Sequence, residues 1–171
     1  DPVAFHKVEL LFGLFKATSH IARAGMCVVI CEGQLDVIAC HEKADIRNAV
    51  AGLGTAFTDE HAKILRKYAK KAILCYDGDN AGIKASIRGI DMLLEEGMNI
   101  KVMLLPDGDD PDSFARKHNA TEFQEYIAAN EVDFIRFKTN LLMSDAANDP
   151  YKRSKVIKDI VESIAVIPEA I

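Results

Sequence analysis

The chain has 171 residues, 49% of them hydrophobic and 27% charged, with a formal net charge of −5, enough apolar material for one buried core and a small appended subdomain. No stretch reaches the roughly 18 uninterrupted apolar residues of a membrane helix, and the opening DPVAFHKVEL lacks the charged-then-apolar layout of a secretory signal, so a soluble cytoplasmic protein with no membrane partner is expected. The acidic balance excludes a uniformly basic surface, although acids gathered in one place would leave basic surface elsewhere.

In chain order, KVELLFGLFKATSHIARAG has apolar residues near helical spacing and predicts a helix stopped by Gly25. MCVVICEG predicts a buried strand ending in Glu32, QLDVIACHEKA a helix, and RNAVAGLG a short strand closed by Gly52 and Gly54. Thr58 is placed to cap DEHAKILRKYAKK, with acids in its first turn and lysines in its last. AILCYD is a further buried strand, AGIKASIRGIDMLLEEG a helix, and NIKVMLL a strand running into PDGDDPD. Strand and helix alternating in this way predict an α/β fold, a small parallel sheet flanked by helices. From Thr121 the strands are expected to stop, with EFQEYIAANEVDFIRFKTNLLM and YKRSKVIKDIVESIAVI forming a C-terminal helical subdomain. The expected division is 1–25 as a helical lead-in, 26–120 as the α/β domain and 121–171 as the helical subdomain. The absence of an initial methionine and the ending VIPEAI are what a piece of a longer protein is expected to have.

Cys27, Cys31, Cys40 and Cys75 form no Cys-x-x-Cys pair, so they are read as reduced packing residues and zinc is not expected. The carboxylates are more informative. Open parallel sheets bind ligands at the carboxyl ends of their strands, and those ends here carry Glu32, then Asp77 and Asp79, then Asp107, Asp109, Asp110 and Asp112. Crowded carboxylates stay ionised only with positive charge between them, and a hard divalent cation, magnesium or manganese, is the usual solution. Any one of these aspartates alone could cap the following helix; the metal reading rests on their convergence. An EF-hand is excluded because Ala81 and Arg88 fall where oxygen ligands are required. An aspartyl nucleophile at Asp77 stays as an alternative that leaves Glu32 unused.

The segments Glu32-Gly33-Gln34-Leu35-Asp36 and Asp77-Gly78-Asp79, each after a strand, resemble the Toprim domain of primases, topoisomerases and some nucleases. AVAGLGTAFTDEHAKIL, LLPDGDDPDSF and the leading FHKVELLFGL are similar to segments of bacterial DnaG-type primases, and the resemblance covers about residues 5–127. Gln34 replaces a commonly aromatic residue, Gly52 a serine, and Asn80 sits at a variable position; none of these removes an acid.

The resemblance implies a fragment of a DNA primase core, a nucleotidyltransferase making short RNA primers on a single-stranded DNA template from ribonucleoside triphosphates during replication. It implies catalytic and metal-binding roles for Glu32, Asp77 and Asp79, with Glu32 also a general base. Asp110 and Asp112 would be further ligands or groups behind them, with Asp36, Gly33 and Gly78 in support. Lys7, Lys84 and Arg88 are candidate phosphate or nucleic-acid contacts. Magnesium is the implied cofactor, with manganese as a substitute. The replicative helicase is the implied partner of a C-terminal domain that has no counterpart here, and the fragment alone is expected to prime weakly or not at all. A Toprim nuclease or topoisomerase subunit, and a metal-binding scaffold without catalysis, are the alternatives.

Overall fold

The computed structural model describes residues 9–54, 57–77, 80–106 and 108–168, with the backbone but only some side chains along residues 80–89. In chain order the elements are β1 (Leu11–Phe12), α1 (Leu14–Arg23), β2 (Cys27–Cys31), α2 (Gln34–Glu42), β3 (Ala49–Gly52), α3 (Asp59–Arg66) and β4 (Lys71–Tyr76). There follow α4 (Asn80–Glu95), β5 (Asn99–Leu104), α5 (Pro111–Lys117), α6 (Ala120–Asn130), β6 (Val132–Asp133), α7 (Phe134–Ala146) and α8 (Pro150–Ala165).

The strands form one sheet in the order β1-β3-β2-β4-β5-β6. The four central strands are parallel, in line with the strand and helix alternation, with Cys31 opposite Cys75 and Cys75 opposite Met103. Side chains alternate along β2: Val28 and Ile30 enter a core with α1, α3, α4 and Phe134 of α7, while Val29 and Cys31 enter a second core with α2, α5 and α6. The sheet is thus buried on both faces, which is why its strands read as continuous apolar runs.

Three expectations need correction. The predicted first helix begins at Leu14, because Gly13 takes φ 82° and frees Leu11 and Phe12 to pair antiparallel with Gly52 and Ala51. The third helix ends at Arg66, so Lys71 lies in β4 rather than in a last helical turn. Strands do not stop at Thr121: Glu131 ends α6, and Val132 and Asp133 pair antiparallel with Val102 and Lys101. Among the described residues no helix is long and apolar enough to cross a membrane.

Candidate metal and nucleotide site

The crossover α2 carries the chain from β2 to β3, and α4 carries it from β4 to β5 on the opposite face. Between β2 and β4 the topology therefore reverses, which opens a crevice at the carboxyl ends of these two strands. Glu32 follows β2 directly and Asp77 follows β4, and because Cys31 and Cys75 are register partners both acids emerge at this crevice. On the β3 side of Glu32 lies a cleft of about 450 Å³ lined by Glu32, Asp36, Asp110, Asp112, Gly52 and Gly54, among others; Asp77 is not part of its lining.

Local chemistry places each acid. Asp36 sits in the first turn of α2 and its Oδ2 accepts the Gly33 amide at 3.0 Å. A Cβ on Gly33 would stand 3.2 Å from that oxygen, so glycine leaves room for the carboxylate to fold back. Asp110 caps α5, its Oδ1 accepting the Ser113 amide at 2.7 Å. Asp112 is held by two cations, Lys43 Nζ at 2.8 Å from Oδ1 and Arg116 on Oδ2. Asp109, expected at the rim, is instead buried, accepting from Lys117 Nζ at 2.6 Å and from Ser113 Oγ at 2.8 Å.

The electrostatics divide these acids into two kinds. Loss of hydration pushes the Glu32 carboxyl up to about 7, with the Asp77 charge adding to it. The same two causes, in the same order, push Asp36 up to about 6, helped by Asp110 and Asp112. Asp109 and Asp112 lie below the ordinary carboxylate range, the first because of Lys117 and the second because of Lys43. Among the described residues, Glu32 and Asp36 therefore have no compensating positive charge, whereas Asp109 and Asp112 have it. An all-oxygen donor set with a deficit of positive charge fits a hard divalent cation. Among the described residues, no group of three or more His, Cys, Asp or Glu closes to ligand distance. Lys7, Gly78, Asp79 and Asp107 lie outside the described residues, as do the side chains of Lys84 and Arg88.

Sequence reasoning missed α5 and the cations that meet it. Asp110-Pro111 followed by Ser113 is an N-cap, a first-turn proline and a reciprocal cap, a signal legible in the chain. Lys43 gave no such signal, because it meets Asp112 across 69 residues of sequence.

A family model described as Toprim-like matches residues 29–115, just over half of the chain. The chain belongs to the Toprim-like family. Within the Toprim-like segment lie Glu32, Asp36, Asp77, Asp110 and Asp112. A DNA primase of Halalkalibacterium halodurans is 36% identical over 168 residues, which are 98% of this chain and 28% of the relative. A crystal structure of a DNA primase domain from Pseudomonas aeruginosa is similar at TM-score 0.84 and 31% identity, covering 98% of this chain and 53% of that one. A DnaG primase catalytic domain solved bound to single-stranded DNA is similar at TM-score 0.81 and 29% identity, over 98% of this chain and 55% of that one. The Toprim-like chain thus spans between a quarter and a third of that primase and about half of the solved catalytic domains.

Proposed function

We propose that this chain is the Toprim-bearing part of a DNA primase catalytic core, within which residues 26–120 carry the acid cleft and 121–171 form a helical support. The reaction is template-directed nucleotidyl transfer: the 3′ hydroxyl of a growing RNA primer attacks the α-phosphate of a ribonucleoside triphosphate, and pyrophosphate leaves. The observation that carries this reading is the meeting of Glu32 and Asp77 at one switch-point crevice, with Glu32 and Asp36 short of positive charge.

In this proposal Glu32, Asp77 and Asp79 hold a divalent cation, magnesium or manganese. When bound, such a cation neutralises charge on the triphosphate and lowers the pKa of the attacking hydroxyl. Glu32, at the carboxyl end of β2, would also accept the hydroxyl proton, as the resemblance to primases implies. Asp36, tied to the Gly33 amide, orients the turn that carries Glu32. Asp110, whose Oδ1 caps α5, lines the cleft and would serve as a further ligand or as a group behind the ligands. For Asp112 the two ion pairs favour a supporting role over direct ligation. Lys7, Lys84 and Arg88 are the proposed phosphate contacts. The wider assembly, with template, primer and helicase, belongs to the longer primase.

Manganese titration followed by electron paramagnetic resonance tests the site. Glu32→Gln and Asp77→Asn should each abolish tight binding, and Asp36→Ala should weaken it roughly 10- to 100-fold. Unchanged manganese affinity in Glu32→Gln and Asp77→Asn refutes the assignment. A longer primase carrying this segment, given template, ribonucleotides and magnesium, should make primers without cleaving the template, and the chain alone should make few or none.

A further inference from the structure

Three thiols that the proposed chemistry does not use lie next to the acid crevice. Cys31 ends β2 and directly precedes Glu32, Cys75 of β4 is its register partner and stands two residues before Asp77, and Cys40 stands on α2. All three are free and buried in the core on the α2 side of the sheet. The Sγ atoms of Cys31 and Cys40 are 3.9 Å apart, too close for another atom to stand between them. These two residues are nine positions apart in the chain, and the stretch they enclose, 32–39, carries Glu32, Gly33 and Asp36.

The two sulfurs sit on elements of unequal firmness. Cys31 is held on both sides by the ladders to β3 and β4. Cys40 rides on a helix of nine residues, a length that persists by its packing and not by itself. The helix can yield where the strand cannot, so Cys40 is the sulfur able to close on Cys31. Cys75 is set aside by the same argument: the β2–β4 ladder fixes it beside Cys31 and leaves neither strand free to approach.

A disulfide would bring the sulfurs from 3.9 Å to about 2.05 Å. Ligand constellations work within about 0.5 Å of their productive geometry, so a closure of this size is felt at the acids. Moving α2 moves Asp36 in its first turn and, through the 3.0 Å bond from the Gly33 amide, the turn that carries Glu32. It also moves Lys43 at the other end of the helix, which holds Asp112 at 2.8 Å.

We propose that Cys31 and Cys40 form an oxidation site, a thiol pair that a hydroperoxide converts to a disulfide, and that this bridge weakens the hold of the acid crevice on divalent cations. In the reaction one sulfur attacks a peroxide oxygen, the O–O bond breaks, and a sulfenic acid and one water result. The second sulfur then attacks the first, the S–O bond breaks as the S–S bond forms, and a second water leaves. The two thiols give up two electrons and two protons in all, and one hydrogen peroxide becomes two waters. Buried thiols are poor nucleophiles, so local opening of α2 sets the rate, and mild urea should speed the reaction. The consequence for metal rests on the metal reading proposed above; the bridge itself does not.

The test treats the whole 171-residue chain with hydrogen peroxide, removes the peroxide with catalase, and counts thiols in denaturant. Two of the four free thiols should disappear, and peptide mapping should find Cys31 joined to Cys40. Manganese affinity, read by electron paramagnetic resonance, should fall by about tenfold or more, and dithiothreitol should restore both thiols and affinity. Cys40→Ala and, beside it, Cys31→Ala should form no bridge and keep their manganese affinity through the same treatment, with circular dichroism confirming the fold. The inference is overturned if peroxide leaves all four thiols, if cysteine gains oxygen without a bridge, or if the bridge joins Cys31 to Cys75. It is also overturned if the bridged chain binds manganese as tightly as the reduced one. A reduced chain that binds no manganese but still forms the Cys31–Cys40 bridge refutes the metal assignment instead and supports the thiol site.

Discussion

Glu32 and Asp36 differ from Asp109 and Asp112 in what surrounds them, and that difference has a measurable consequence. A carboxyl pushed upward folds most favourably while protonated, so its contribution is whole below the ordinary carboxylate range. It is lost as pH rises through about 6 for Asp36 and about 7 for Glu32. Asp109 and Asp112, pulled downward, act in the opposite sense: their contribution is whole above the ordinary carboxylate range and is lost only under stronger acid. Without divalent cation, the melting temperature should therefore fall as pH is raised from about 4 to about 7. Glu32→Gln should flatten the upper part of that fall, seen by circular dichroism melts across the pH series. Manganese at about 100 times its Kd should restore about 2.7 kcal/mol above neutrality and progressively less in acid, since ligation releases protons. A melting temperature that rises steadily over this range without metal would contradict the charge deficit.

At the scale of elements, the acid loop between β5 and α5 depends on packing beneath it. Phe114 of α5 meets Phe123 of α6 edge-on at 4.9 Å, and Phe123 is fully buried. The Tyr126 hydroxyl donates to the Leu104 carbonyl at 3.0 Å, tying α6 to the end of β5. Asp110 and Asp112 thus stand on a short helix whose position is set by the helix after it. Phe123→Ala should destabilise the chain by about 3–5 kcal/mol, as expected for an emptied aromatic site, measured as a shift in the urea midpoint. Asp110→Ala removes only a cap and should cost about 1 kcal/mol.

Across the whole molecule, the C-terminal hairpin of α7 and α8 is joined to the α/β layers by more than apolar contact. Lys138 Nζ donates to Ser163 Oγ at 2.6 Å, and Ser163 Oγ donates to Asp91 Oδ1 of α4 at 2.9 Å. Both Lys138 and Ser163 are buried. Together with β6 at the sheet edge and Phe134 in the main core, this network makes the hairpin part of the fold that carries the cleft. Lys138→Ala should cost about 2 kcal/mol, less than a fully buried pair because Asp91 stays partly hydrated. Thermal melts of this variant should fall as one transition; a separate early transition of the hairpin would show that the network does not couple it to the sheet.

The chain order of central strands and helices, their parallel direction and the positions of Glu32 and Asp77 at strand ends were legible in the chain. Each rests on a local signal: β-branched runs such as CVVIC, helical spacing, or a cap such as Thr58, which does accept the His61 amide at 3.2 Å. The two antiparallel edges were not legible, because β1 and β6 are two residues long and exist only through their partners β3 and β5. The acids looked alike in sequence, since charge type is local and charge environment is not. Folding decided that Lys43, Arg116 and Lys117 would neutralise Asp112 and Asp109 and that, among the described residues, no cation would do the same for Glu32 and Asp36. Composition alone determined that the chain could bury a core; the energy of a carboxylate depends on which cation stands beside it, and only the tertiary structure assigned those neighbours.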